Sequence, residues 1–156
     1  MTSCAVKEMP APRAEACKVI LRALPEWFGI ESYVESYAAD AEIYSTLGAY
    51  DQDGALVGFV TLRPRSEDVN EIHVMGVLPE HHGHGIGTRL VAEAKALSQK
   101  LGYRTLEVRT LGPSKPDPNY EKTRVFYERR GFKIIAELHD VWPDNPCLVM
   151  AVSLIE

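Results

Sequence analysis

Three glycines fall at every second position in one short run, His81-His82-Gly83-His84-Gly85-Ile86-Gly87. The residues before the run have strand character and those after it have helix character. A glycine-rich turn between a strand and a helix is a common way to build an anion site. Glycine lets the main chain approach a phosphate closely, and the unpaired N–H groups of the helix's first turn point at it. Gly83, Gly85 and Gly87 supply such positions. Two nucleotide readings fail on residue type: no Gly-Lys-Ser or Gly-Lys-Thr ending is present, and Thr88 stands where a GxGxxG fingerprint needs its last glycine. A tight turn that merely requires small residues is the plain alternative. His81, His82 and His84 invite a metal reading, but side chains so close on one turn converge poorly. No carboxylate pair or cysteine lies beside them, so no metal is expected.

Other chemistry-bearing side chains sit on either side of this turn. Val69 to Val77 reads as a strand with Glu71, His73 and Met75 on one face and Ile72 and Val74 on the other. Glu71 and His73 are residue types that can take a proton. Glu71 could equally be a solvent-facing charge or a partner for Arg109 on a neighbouring strand. Further on, Tyr120 and Tyr127 lie seven residues apart, which places both on one face of a helix, two turns apart.

These residues need a scaffold, and the apolar pattern outlines one. Cys17, Ile20, Leu21 and Leu24 follow the spacing of an amphipathic helix that Pro12 opens and Pro25 stops. A second helix carries Ile30, Tyr33, Val34, Tyr37 and Ala38 on one stripe, and Trp27 and Phe28 lie in the connection. Ile43 to Asp51 reads as a strand, Asp53-Gly54 as a hairpin turn, and Ala55 to Leu62 as a strand apolar on both faces. Arg63 to Asp68 reads as a loop before the strand 69–77. The helix after the glycine turn carries Ile86, Leu90, Ala94, Leu97 and Leu101 in register and ends at Gly102. Thr105 to Thr110 is a strand, Leu111 to Pro118 a loop, and 119–130 a helix ended by Gly131. Phe132 to His139 and Cys147 to Leu154 are two closing strands joined by a loop at Trp142 to Pro146. Helices interleaved with a hairpin-rich sheet give an α/β layered domain with one right-handed parallel crossover through the helix after the glycine turn.

The chain has 156 residues, 46% apolar and 25% charged, with a net charge of −5. That length fits one domain, 1–156, with a core of its own. An acidic chain with a pI near 5.6 does not favour nucleic acid through a general basic field, and no apolar run is long enough to span a bilayer. The start MTSCAVKEMP has neither the basic nor the apolar region of a signal peptide. Cys4, Cys17 and Cys147 show no pairing pattern, so reduced thiols and a cytoplasmic location are expected.

The run Val77-Leu78-Pro79-Glu80-His81-His82-Gly83-His84-Gly85-Ile86-Gly87-Thr88-Arg89-Leu90 resembles the acetyl-CoA signature of the GNAT superfamily of N-acetyltransferases, Q/R-x-x-G-x-G/A after a V-x-P strand end. Gly85 and Gly87 match its small positions, and His82 replaces the usual Gln or Arg. Phe126-Tyr127-Glu128-Arg129-Arg130-Gly131-Phe132 resembles the family's F/L-Y-x-x-x-G-F segment, although Tyr120 and Thr123 stand where the family often has Asn and Ala. The resemblance implies the GNAT fold: a central, mixed, mostly antiparallel twisted sheet of six or seven strands with helices on both faces. It implies transfer of an acetyl group from acetyl-CoA, with no metal, to a primary amine of a small molecule or an amino terminus. The alternative is a non-catalytic acetyl-CoA-binding module. It also implies that His82, Gly83, His84, Gly85, Ile86, Gly87 and Thr88 hold the pyrophosphate, and that backbone donors at Met75, Gly76 and Val77 face the thioester carbonyl. Tyr120 and Phe126 would line the cofactor's arm, Tyr127 would be the general acid, and Glu71 the base, with His73 its rival. Trp27, Phe28, the second helix and loop 111–118 would wall the acceptor. The expected partner is an amine, with neither nucleic acid nor membrane; a homodimer is left open. An aminoacyl-tRNA-modifying enzyme of the same fold would want a basic face, which the pI disfavours.

Overall fold

In the computed structural model, which describes residues 4–155, the elements run β1 (Ala5–Glu8), α1 (Ala14–Arg22), α2 (Glu31–Ile43), β2 (Thr46–Tyr50), β3 (Leu56–Pro64), β4 (Val69–Val77), α3 (Ile86–Lys100), β5 (Thr105–Leu111), α4 (Pro118–Arg129), β6 (Lys133–Trp142) and β7 (Asn145–Ser153). The strands form a seven-stranded mixed sheet in the order β1-β2-β3-β4-β5-β7-β6. Val69–Ile72 of β4 pairs parallel with Thr105–Val108 of β5, the crossover that α3 provides, whereas β1–β2, β2–β3, β5–β7 and β6–β7 are antiparallel.

Several expectations need correction. β1 had no signature in the sequence. Its residues Ala-Val-Lys-Glu are mostly exposed and owe their extended form to a ladder with β2. Helix α2 runs on to Ile43, so β2 begins three residues later than its apolar start indicated. The stripe of α2 also differs: Val34, Ala38 and Ala41 are buried, while Tyr33 is exposed and Ile30 lies outside the helix, also exposed. Strand β3 continues through Arg63 to Pro64, and β6 and β7 extend into the residues assigned to their loop, leaving a tight turn with Asp144 at φ +62°.

The described residues form two compact units, one made of the residues up to Arg63 with His73–Leu97, the other of Pro64–Ile72 with the residues from Ser98 onward. In the first, Cys17, Ile20, Leu21 and Leu24 of α1 and its exit pack with Val34 and Ala41 of α2, Phe59 of β3 and Val74 of β4. Gly76 of β4 is a close-approach position, because a Cβ there would come within 3.1 Å of Ile20 and 3.2 Å of Leu24. Arg13 ties this unit together. Its guanidinium donates to the carbonyls of Met9 (2.7 Å), Ala41 (3.0 Å) and Tyr44 (3.1 Å). Glu42 of α2 in turn accepts from the Arg13 and Ala14 amides, at 3.0 Å for Ala14, and so serves the open N-terminus of α1. In the second unit, Leu106, Val108, Tyr127, Phe132, Leu148 and Met150 are buried.

Candidate functional site

The glycine turn forms as read, strand to turn to helix. Gly83 and Gly85 have φ of +79° and +81°, a region that L side chains rarely adopt, and a Cβ at either would meet nothing within 4 Å. The cradle is therefore open on that side. The Arg89 amide donates to the Gly85 carbonyl at 3.0 Å, the first bond of α3. The amides of Ile86 and Gly87 lie in the first turn of the helix, and the dipole of a fifteen-residue helix stands behind them. This cradle fits a pyrophosphate. Ile86 anchors it from below, 1% exposed.

His82 has a role that its sequence position did not indicate. Its Nε2 donates to the Val77 carbonyl at 2.7 Å, and its ring stands edge-on to Trp27 with centroids 6.3 Å apart. The imidazole pins the turn to the end of β4. Trp27 and Phe28, both half-buried, also pack against the core formed by α1 and α2. His84 is exposed, Met75 is half-buried, and Gly76 and Val77 are buried. His73 reaches α2. Its Nε2 lies 2.7 Å from Asp40 Oδ2, with the rings of Tyr37 and Tyr44 at 5.3 and 6.5 Å. Val74 also joins the α1–α2 core, so these two consecutive residues of β4 address the same helical layer where strict alternation would part them. Asp40 carried no signal in the sequence; it is one of many acidic residues on α2.

In the second unit, Tyr127 is buried on α4 between Phe126 and Phe132, with ring centroids 5.2 and 5.3 Å away. Burial raises its phenol above the ordinary tyrosine range, so it keeps its proton through neutral pH. Asp117 caps the helix, accepting from the Asn119 amide at 2.9 Å and the Tyr120 amide at 3.2 Å, with Pro118 at the first helical position. This cap places Tyr120, half-buried, one turn into the helix. Phe126 lines a groove along α4 under the guanidinium of Arg130, 5.0 Å from its ring centre.

Glu71 is 3% exposed and sits in a charged cluster. The parallel register sets it opposite Glu107, a pairing of like charges that costs stability unless neutralised. Arg109 neutralises it: Nε lies 3.1 Å from Glu107 Oε1 and 3.8 Å from Glu71 Oε2. Arg65 approaches the other Glu71 oxygen at 3.9 Å. The partnership with Arg109 considered from the sequence is thus present. The structure gathers the candidate residues in two sets, Met75 to Thr88 with His73 in one unit and Glu71, Tyr120, Phe126 and Tyr127 in the other.

A family model described as an acetyltransferase (GNAT) domain matches residues 41–134, more than half of the chain. The chain belongs to the GNAT family. Within this family, it is 30% identical over 93 residues to the mycothiol acetyltransferase of Propionibacterium freudenreichii subsp. shermanii. That match takes in 58% of this chain but only 28% of the relative, so the chain spans little more than a quarter of that protein's length. A GNAT-family protein from Desulfovibrio desulfuricans superposes with a TM-score of 0.82 at 20% identity, over 98% of this chain and 100% of that one. An aminoglycoside 6'-N-acetyltransferase solved with coenzyme A superposes with a TM-score of 0.76 at 24% identity, over 97% and 98%. These two likenesses show a common GNAT fold. Among the described residues no group of three or more His, Cys, Asp or Glu could hold a metal ion, and no helix is long and apolar enough to cross a membrane.

Proposed function

We propose that this GNAT protein transfers an acetyl group from acetyl-CoA to a primary amine of a small molecule or an amino terminus. The observation that carries the reading is the cradle at Gly83–Thr88, two left-handed glycines leading into the first turn of a fifteen-residue helix. Acetyl-CoA, when bound, supplies the thioester-activated acetyl group. The chain's own residues do the rest. The amides from Gly83 to Thr88 hold the pyrophosphate. Donors at Met75, Gly76 and Val77 serve the carbonyl oxygen, where charge develops during transfer. Glu71 receives the proton of the incoming amine, and Tyr127 returns one to the departing thiolate. Burial keeps this phenol protonated at neutral pH, so the proton is present for the transfer. Tyr120 and Phe126 line the arm of the cofactor. The family membership and a GNAT relative solved with coenzyme A support this assignment.

The test is a panel of primary amines with acetyl-CoA, read by release of free thiol, on the wild type and on Tyr127→Phe. That substitution removes one hydroxyl and keeps the ring. Loss of a positioned acid lowers kcat by about 10²–10⁴-fold, roughly 3–5 kcal/mol of barrier, with acetyl-CoA affinity nearly unchanged. Acetyl-CoA binding without thiol release from any amine would identify a binding module instead.

A further inference from the structure

The cluster around Glu71 holds more donor capacity than it uses. Arg109 spends Nε on Glu107 and Glu71, and no hydrogen bond among the described residues engages its Nη1 or Nη2. Arg65 meets Glu71 through Nη1 at 3.9 Å, an ion-pair contact beyond hydrogen-bond range. Both guanidiniums are reached by solvent, their side chains 31% and 23% exposed for Arg65 and Arg109, while the Glu71 carboxylate beneath them is 4% exposed. A guanidinium presents parallel N–H donors that match a carboxylate two by two, which a solvated point charge does not. The β7 residues paired with Glu107 and Arg109 are Ala151 and Val149, whose apolar side chains bring no competing acceptor.

The charges of the cluster also select. The carboxylates of Glu71 and Glu107 lie against the guanidiniums of Arg65 and Arg109, so both signs of charge are present. A ligand with an ammonium and a carboxylate brings no net charge into this setting and can satisfy both signs. A polycationic amine brings further positive groups against Arg65 and Arg109, and like charges at close quarters discriminate against it.

We propose that Arg65 and Arg109 form a subsite for a carboxylate carried by the acceptor, so that the acceptor class is amino acids and related carboxylate-bearing amines. This rests on the acetyltransferase reading above and narrows its substrate.

The experiment measures thiol release with acetyl-CoA for a set of free amino acids, each beside its carboxamide, with putrescine and an aminoglycoside as polycations. At least one amino acid should exceed its amide by tenfold or more in kcat/KM, and the polycations should be poorer than that amino acid. Amides equal to their acids, or polycations preferred, overturn the subsite while leaving the acetyltransferase reading intact. If no amine releases thiol, that reading fails, and the subsite is judged by calorimetry of the same acids and amides. Absence of a binding preference for any acid then overturns it. Arg109→Gln should reduce the acid-over-amide preference tenfold or more, through the acceptor KM. Because Arg109 also separates Glu71 from Glu107, Arg65→Gln serves as the second variant and should move the preference in the same direction. Arg109→Lys keeps the charge but not the fork and should restore only part of it. A rise in the acetyl-CoA KM instead, with the acceptor preference kept, would assign the guanidiniums to the cofactor and overturn the proposal.

Discussion

The glycine turn and the Glu71 cluster are both polar devices in a small α/β protein, and they are made of different material. The turn is built from main chain: two left-handed glycines and the amides of a helix start. The cluster is built from side chains that three segments bring together, β4 with Glu71, β5 with Glu107 and Arg109, and the residue after β3, Arg65. A main-chain site depends on local sequence and tolerates exchange of the side chains around it. A side-chain site depends on register, and one substitution can change what it recognises. Under the function proposed above, the main-chain site would serve the co-substrate and the side-chain site the acceptor.

The comparison predicts unequal responses to mutation. The largest effect on binding should come from Gly85→Val. Its φ of +81° strains any L residue, most of all a β-branched one, and the new side chain enters the space a pyrophosphate would take. Acetyl-CoA affinity by calorimetry should fall tenfold or more in a folded variant. Unchanged affinity would break the main-chain reading. Next comes alkaline pH. The Tyr127 phenol is raised by burial, so its neutral form is favoured in the folded state. The stability this contributes is complete below the ordinary tyrosine pKa of about 10 and is lost as pH rises beyond it, when only the unfolded chain ionises freely. Chemical denaturation at pH 8 and pH 11 should show the drop, and Tyr127→Phe should reduce it.

Smaller effects sharpen the same contrast. Burial pushes the Cys17 thiol up to about 12 and raises that of Cys147 as well, whereas Cys4 is only half-buried. A thiol reagent at pH 8 should therefore modify Cys4 alone in the native protein and all three thiols in denaturant. The smallest change is expected from His82→Ala. Its imidazole holds the turn to Val77 and faces Trp27, so its loss should loosen acetyl-CoA binding by a few-fold at most. A loss as large as that of Gly85→Val would show that the histidine, rather than the amides, does the holding.

The same contrast governs how much could be read without coordinates. The strand–turn–helix around Gly85 was legible because glycine spacing and a following 3.6-residue period are local signals. So was α4, bounded by Pro118 and Gly131. The charged cluster was half legible. Glu71 and Arg109 could be suspected as partners, but the register that sets Glu71 against Glu107, and the end of β3 that delivers Arg65, are products of long-range pairing. β1 was invisible because a four-residue, mostly exposed strand has no apolar alternation to show. α2 was blurred because it buries small residues, Val34, Ala38 and Ala41, while an exposed Tyr33 and Ile43 mimic a stripe and a strand start. Asp40 could not be linked to His73, since nothing in either position announces the other.

The clamp made by Arg13 carries a consequence for how this sequence can drift over generations. Its three acceptors are the carbonyl oxygens of Met9, Ala41 and Tyr44, atoms that every amino acid possesses. Those three positions can therefore exchange residues without loosening the clamp, provided their own packing allows it. Arg13 has no such freedom, because a lysine at that place offers a single ammonium where a planar fork spans acceptors 28 and 31 residues away in the chain. Among descendants of a common ancestor, the arginine should stay fixed in company that varies. A set of sequences aligned on residue 13 would carry the trace of a contact that pairwise covariation cannot detect.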